Sequence, residues 1–177
     1  MSIIAISGIS GAGKSTIGKM LAKKLNAEFI DQDWFNSGNK QQATLSNGYI
    51  VTNYDCDDVF NIKNFNDAIS SNKHNTLVIV GYNLRHYFFF EGNKPTIHFN
   101  IMIPKELSLE TRLSIKPFSD ERRANEKLFF NEYLYPYYQD TLKKSDIDYF
   151  ISGMIDNKRE TVENIIDHIF DIIWFKL

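Results

Sequence analysis

Cysteine is nearly missing from this chain. Cys56 stands alone among 177 residues, so no disulfide closes within it and stability must come from burial. Proline is scarce too, with four residues, so few elements are interrupted. No apolar run approaches the ~18 residues that a membrane span needs. There is no basic excess: 20 Lys and Arg face 22 Asp and Glu, for a net charge of -2. That excludes the charge footprint of a nucleic-acid binder and still leaves room for a local phosphate site. The histidines (His74, His86, His98 and His168) lie scattered, without the spacing of metal ligands. The first recognisable motif begins beside Met1, which leaves no room for a signal peptide. The expectation is a cytoplasmic, single-domain protein over residues 1–177, monomer or homodimer, with no membrane or nucleic-acid partner.

What is present alternates. Ser2–Ser7 is short, apolar and β-branched and ends at a glycine, which reads as a buried strand. Lys14–Leu25 places Ile17, Met20, Leu21 and Leu25 at helical spacing. Ala27–Ile30, Thr76–Val80, Thr96–Ile103 and Ile147–Ser152 read as further strands. Helices are predicted over Asp57–Ser71, Lys105–Ile115, Leu128–Lys144 (interrupted near Pro136) and Glu160–Phe175. Asp31–Asp55 is polar and reads as a long loop reaching into a site. Lys116–Glu126 reads as a charged, mobile stretch. Strands alternating with helices predict an α/β three-layer sandwich, a five-stranded parallel sheet with helices on both faces.

Residues 8–15, GISGAGKS, carry the chemistry. Gly8, Gly13, Lys14 and Ser15 match G-x-x-x-x-G-K-[ST], between a strand and a helix as that motif requires. Glycines let the backbone curl so that the amides from Ser10, Gly11 and Ala12 to Thr16 face phosphate oxygens, over the positive end of the helix. Lys14 would reach the β- and γ-phosphates of ATP, and Ser15 would ligate Mg²⁺. The bland alternative is a glycine-rich strand-to-helix turn. A guanine-reading N-K-x-D motif is not found, since Asn93-Lys94 is followed by Pro95.

GISGAGKST, then Asp31-Gln32-Asp33-Trp34-Phe35, then Tyr54-Asp55, and finally Asn131–Gly153 with its aromatic-Pro-x-Tyr pattern resemble the nicotinamide riboside kinase and uridine kinase family, in the family's order. The resemblance implies a P-loop kinase moving the γ-phosphate of ATP to the 5′-hydroxyl of a ribonucleoside, nicotinamide riboside first and uridine or cytidine second. It implies Asp33 as the group facing that hydroxyl and supporting Mg²⁺, against a solvated or helix-capping Asp. It implies Asp55 as ligand of the ribose diol, against an N-cap that Asp57 or Asp58 would also supply. Tyr54 and Phe35 match the base pocket, against ordinary core packing. Residues 112–126 match a lid, in which Arg112 and Lys116 would bring charge to the phosphates and Phe118 would cap the base. One of Arg122 and Arg123 would join them, or both would form a solvated face.

One departure stands out. The family strand ends Glu-Gly, where this chain has Val80-Gly81. Three readings follow: Asp33 serves as base and metal support, Asp31 supplies the second carboxylate, or the chain is a degenerate kinase acting as a nucleotide-binding regulator. In Asn83–Gly92, Arg85 and His86 would touch phosphate or substrate, or Arg85 is solvated and Tyr87–Phe90 pack under the sheet. The terminal stripe Ile165, Ile169, Ile172 and Ile173 reads as core.

Overall fold

The computed structural model describes residues 1–39, 41–115 and 119–176. Its centre is strand β1 (Ser2–Gly8), whose last six residues are buried on both faces. Such a strand must be flanked by others and covered by helices. β1 pairs in parallel with β5 (Thr76–Gly81) on one side and β6 (Ile97–Met102) on the other. Beyond them lie β2 (Glu28–Asp31) and β7 (Tyr149–Ser152), giving the order β2-β5-β1-β6-β7. The predicted five-stranded parallel sheet is the one observed.

Alternation along β1 sorts its neighbours into two layers. Ile4 and Ile6, with Val78, Val80 and Phe99, share a core with Ile17 and Leu21 of α1 (Lys14–Leu25) and Ile165 and Ile169 of α6 (Val162–Lys176). Ile3 and Ala5, with Leu77 and Ile79, pack with Phe65 and Ile69 of α2 (Ile62–Ser70). Phe65 is wholly buried, edge-on to Phe35 at 5.5 Å and Phe60 at 5.1 Å. α1 comes close enough to the sheet that a Cβ on Gly18 would lie 2.2 Å from Val80 Cγ1.

Three sequence expectations change. The loop over 31–55 holds a 3₁₀ turn (Gln32–Phe35) and an antiparallel hairpin, β3 (Gln41–Thr44) with β4 (Ile50–Asn53). Its tip carries Asn47-Gly48, with Gly48 at φ 83°, a hairpin signal hidden by the polarity of the flanks. The helix expected from Asp57 starts at Ile62, because the Asn61 side chain accepts the Asn64 N–H as its cap. The stretch expected to be mobile contains α4 (Asp120–Phe129), capped by Ser119 on the Arg122 N–H. After α3 (Lys105–Ser114) and α4, a π-helical segment (Phe130–Leu134) runs straight into α5 (Tyr135–Lys143). Pro136 is accommodated at this junction, where the π-helical widening (Tyr135 N–H to the Phe130 carbonyl) loosens the ladder that a proline would otherwise break. A small hairpin, β8 (Met154–Ile155) with β9 (Lys158–Arg159), precedes α6. Among the described residues no helix is long and apolar enough to cross a membrane.

A polar chain runs through the α5 side of the sheet. The Asp146 carbonyl can only accept, so His98 Nδ1 carries the proton and donates to it at 3.1 Å. Nε2 then accepts from the Ser7 hydroxyl at 2.8 Å, and Asn100 links Ser7 to the Tyr138 hydroxyl of α5. Burial pushes the His98 pKa down from 6.5 to about 4. A neutral folded imidazole gives stability that is complete above the unfolded value and lost as pH falls through the folded one. Acidification from pH 7 to 4 is expected to remove about 3 kcal/mol through this group, at ~1.4 kcal/mol per pH unit. His98→Gln should flatten that slope in urea denaturation followed across pH.

Candidate functional site

The site forms where β1 ends and α1 begins. Gly13, in the left-handed region at φ 87°, turns the chain so that α1 opens without a side-chain cap. Ile17 N–H is bonded to the Gly13 carbonyl at 3.0 Å, so the amides of Lys14, Ser15 and Thr16 precede the helical ladder and face outwards. The Ser108 hydroxyl of α3 holds the Ser10 carbonyl at 2.7 Å, Arg159 of β9 donates to the Gly11 carbonyl, and the Ala12 N–H bonds the Ile9 carbonyl at 3.1 Å. The loop from Gly8 to Ser15 is therefore braced from three directions. Lys14 folds over it and donates to the Ile9 carbonyl at 3.0 Å.

The end of β2 supplies the opposing charge. Parallel pairing sets Asp31 beside Val80, and the Ser15 hydroxyl donates to Asp31 Oδ2 at 2.9 Å. Asp31 Oδ1 accepts the Asp33 N–H at 3.1 Å and caps the 3₁₀ turn, which fixes the two carboxylates relative to each other. The carboxylate touching Ser15 is Asp31, and Asp33 is its neighbour on the cavity wall. Val80 is not a missing acid at the site. It is wholly buried, with Cγ1 turned to Gly18 in the core. A carboxylate near Ser15 comes from the adjacent strand, at Asp31.

Asp33 and Asp55 line a cavity of about 60 Å³ together with Tyr54, Tyr82, Asn83 and Tyr137. Burial pushes the Asp33 carboxyl above its usual range, the Asp31 charge adds to that, and Lys14 opposes it. Burial raises Asp55 likewise, with Arg112 opposing. Lys14 is pushed down by burial, while Asp33, Asp31 and Asp55 favour its charge. Three carboxylates and one ammonium thus share a partly desolvated space. An oxygen-rich set around Ser15 and Asp31 fits a hard divalent cation such as Mg²⁺.

Beyond this cavity lies a larger one of about 560 Å³, bordered by Ser10, Tyr54, Arg112, Arg122, Glu126 and, from β4, Ile50, Val51 and Thr52. Its outer wall is the β3–β4 hairpin, clasped to the helices. Ser46 N–H donates to Glu132 at 2.9 Å, Asn47 to Asn125 at 2.8 Å, and the Tyr133 hydroxyl to the Thr44 carbonyl at 2.6 Å. Arg112 bonds Glu126 and stands 3.9 Å from Asp55.

Most of the expected residues converge here, and some do not. Phe35 belongs to the core against Phe65, because the 3₁₀ turn that aims Asp33 at the cavity sends Phe35 towards α2. Asp55 caps no helix. Lys116 and Phe118 lie outside the described residues. Arg85, read as solvated or as a phosphate contact, is neither. It is 2% exposed and held by Asp57 at 3.2 Å, Asp140 at 3.1 Å, the Tyr87 hydroxyl at 2.7 Å and Thr141. Tyr87 and Phe90 are exposed, and only Phe88 and Phe89 are buried.

Sequence reasoning missed the wall that Arg85 supports. Tyr137 donates to Asp57, and Asn83 donates to both. Gln32 and the Asn83 backbone exchange hydrogen bonds at 2.6 and 2.9 Å, which ties β2 to the end of β5. The only available signal was the density of Asn, Gln and Tyr around these strand ends.

The shikimate kinase family profile matches residues 10–51. A gluconokinase of Arabidopsis thaliana is 66% identical over 35 residues, which are 20% of this chain and 18% of that protein. A shikimate kinase of Bacteroides thetaiotaomicron is 56% identical over 32 residues, 18% of each chain. The matches thus span less than a fifth of these relatives. Over the whole fold the chain is similar to the shikimate kinase from Acinetobacter baumannii in complex with shikimate (TM-score 0.54, 18% identity, 99% of this chain and 94% of that one). It is equally similar to a gluconokinase from Sinorhizobium meliloti 1021 (TM-score 0.55, 13% identity, 98% and 96%). The fold is the P-loop α/β sandwich of these kinases.

Two outcomes test the geometry without any assay of turnover. Val80→Glu would place a carboxylate against Gly18 and should destabilise by about 3–5 kcal/mol, read as a lowered denaturation midpoint. Asp33→Asn should do the reverse. A carboxyl whose folded pKa is raised opposes folding fully above that pKa and not at all below its unfolded value near 3.8. The variant should melt above the wild type at neutral pH and converge with it in acid.

Proposed function

We propose that this chain is an ATP-dependent kinase that phosphorylates a hydroxyl of a small polyhydroxylated molecule. The observation that carries this is the pair of consecutive-turn carboxylates, Asp31 on Ser15 and Asp33 beside it, facing a braced phosphate loop. In this reading the loop amides and Lys14 hold the triphosphate of ATP. Ser15 and Asp31 hold Mg²⁺, which when bound neutralises phosphate oxygens. Asp33 accepts the acceptor's proton as its oxygen bonds the γ-phosphorus and the bond to the bridging oxygen breaks, releasing ADP. Its raised pKa keeps it basic enough for that task. Arg112, held between Glu126 and Asp55, brings charge towards the transferring group, with residues 112–126 as a lid.

The acceptor is the finer question. The relatives reported above are kinases named for shikimate and gluconate, not for nucleosides. A ribonucleoside 5′-hydroxyl, nicotinamide riboside before uridine or cytidine, is retained as a proposal within the wider polyol class. Tyr54 and Asp55 on the cavity wall support it, and Phe35 in the core does not. A regulator without turnover is disfavoured by Asp31, which stands where the acid was thought to be lacking.

Lys14→Ala should abolish ADP release driven by an acceptor. Asp33→Asn should lower kcat by about 10²–10⁴-fold while Mg·ATP still binds. Unchanged turnover in Asp33→Asn would remove its role as base. The Asp31 charge raises the Asp33 pKa and sustains the Lys14 charge. In Asp31→Asn both limbs of the pH–rate profile should therefore move to lower pH.

A further inference from the structure

A run of buried polar side chains leads through the sheet to the phosphate loop, and folding alone does not call for it. Ser7, His98 and Asn100 are at most 2% exposed, in strands that are otherwise apolar. Apolar residues there would remove the need to pair any polar group.

The hydrogen bonds of this run have one sense only. The Asp146 carbonyl can only accept, so His98 keeps its proton on Nδ1, and Nε2 must accept from the Ser7 hydroxyl. The Ser7 oxygen in turn accepts from the Asn100 amide at 2.9 Å. That turns Asn100 Oδ1 to Tyr138, whose hydroxyl donates to it at 2.9 Å. With its proton committed, the Tyr138 oxygen has only lone pairs left, and the Ile9 N–H faces it.

Ile9 is where the loop meets Lys14. Its carbonyl accepts the Lys14 ammonium at 3.0 Å and the Ala12 N–H at 3.1 Å, and its side chain is 1% exposed. One residue earlier there is no slack, since a Cβ on Gly8 would lie 2.7 Å from the Ile101 carbonyl. Ser108 and Arg159 brace Ser10 and Gly11, and the run ending at Tyr138 reaches Ile9.

From this geometry we infer that His98, Ser7, Asn100 and Tyr138 are positioning residues for the phosphates of the nucleotide. They fix the plane of the Ile9 peptide, and with it the amides that follow and the point from which Lys14 reaches. His98 acts from the far end. Without an acceptor at Nε2 the Ser7 hydroxyl turns, the Asn100 amide loses its preferred orientation, and Tyr138 can present its proton to the Ile9 N–H instead of a lone pair. The inference rests on the phosphate-loop part of the reading above and on no particular acceptor.

Titration calorimetry of the full chain with Mg·ADP tests it, with adenosine as competitor, at a temperature where every variant is folded. Tyr138→Phe keeps the ring and its packing 5.9 Å from Tyr82 and removes the oxygen. It should weaken Mg·ADP about tenfold, as the loss of one buried hydrogen bond implies, and leave adenosine within twofold. His98→Leu should weaken Mg·ADP several-fold. His98→Gln, whose amide oxygen can stand in for Nε2, should restore it. Tyr138→Phe and His98→Leu together should cost no more than Tyr138→Phe alone, because both act along one chain. Unchanged Mg·ADP affinity in Tyr138→Phe overturns the inference. So does an equal loss for adenosine, which marks a merely structural role, and so do fully additive losses in the double variant. A wild type that binds Mg·ADP yet phosphorylates nothing removes the kinase reading alone, and one that binds no Mg·ADP removes both.

Discussion

The contact between Ser15 and Asp31 is the constraint on which the site depends. It joins the first turn of α1 to the end of an outer strand, and β5 lies between β2 and the strand that feeds the loop. Such a contact exists only if β2 is paired to β5 in one register. A one-residue slip would turn Asp31 to the opposite face of the sheet. Several features hold that register. Ile30 is buried in the α2 core, Gly18 lets α1 settle on Val80, and Gln32 and Asn83 exchange hydrogen bonds past the strand ends. Packing with no catalytic role thereby sets the distance between phosphate loop and carboxylates.

Electrostatic strain is the counterpart of that placement. Asp31, Asp33 and Asp55 surround one buried lysine, and the shifts of Asp33, Asp55 and Lys14 all oppose charge. Nothing in folding asks for this cluster. It is tolerated because the sheet is buried on both faces and Phe65, Phe99 and Phe130 are fully enclosed. A divalent cation at Ser15 and Asp31 would offset part of this charge, whereas a triphosphate adds negative charge of its own, which the loop amides and Lys14 would have to balance.

Much of this was legible in the residues. The period-two and continuous apolar runs placed all five parallel strands within a residue or two. The phosphate loop was unambiguous because strand, glycines, Lys14, Ser15 and helix occur together. Failures came where polar residues build structure. The β3–β4 hairpin is exposed on most of its length, so it lacks an apolar alternation; Ala43 and Leu45 are buried and Val51 packs against the core in part. Arg85 looked solvated because a lone arginine carries no sign of its partners, and those lie 28 and 55 positions away in Asp57 and Asp140. Val80 looked like a lost acid because a strand end was judged alone. The carboxylate beside it, Asp31, belongs to the neighbouring strand, a relation set by pairing and not by sequence distance.

The extent of the sequence match carries a further point. It begins inside the phosphate loop and ends at residue 51, in the hairpin. That stretch holds Lys14, Ser15, Asp31 and Asp33, the residues to which the proposed transfer assigns the phosphates, the cation and the proton. The wall made by Asp55, Asp57, Asn83, Arg85 and Tyr137 lies beyond it, and over the whole chain the similar structures share the fold at 13–18% identity. Phosphate handling is set by backbone amides and a few side chains, and it transfers with the fold. Acceptor choice is set by side chains on the opposite wall, and it does not. Here that wall contains a guanidinium locked behind tyrosines and two carboxylates in front of them. Whatever that wall selects is thus set by residues beyond the stretch that the family profile matches.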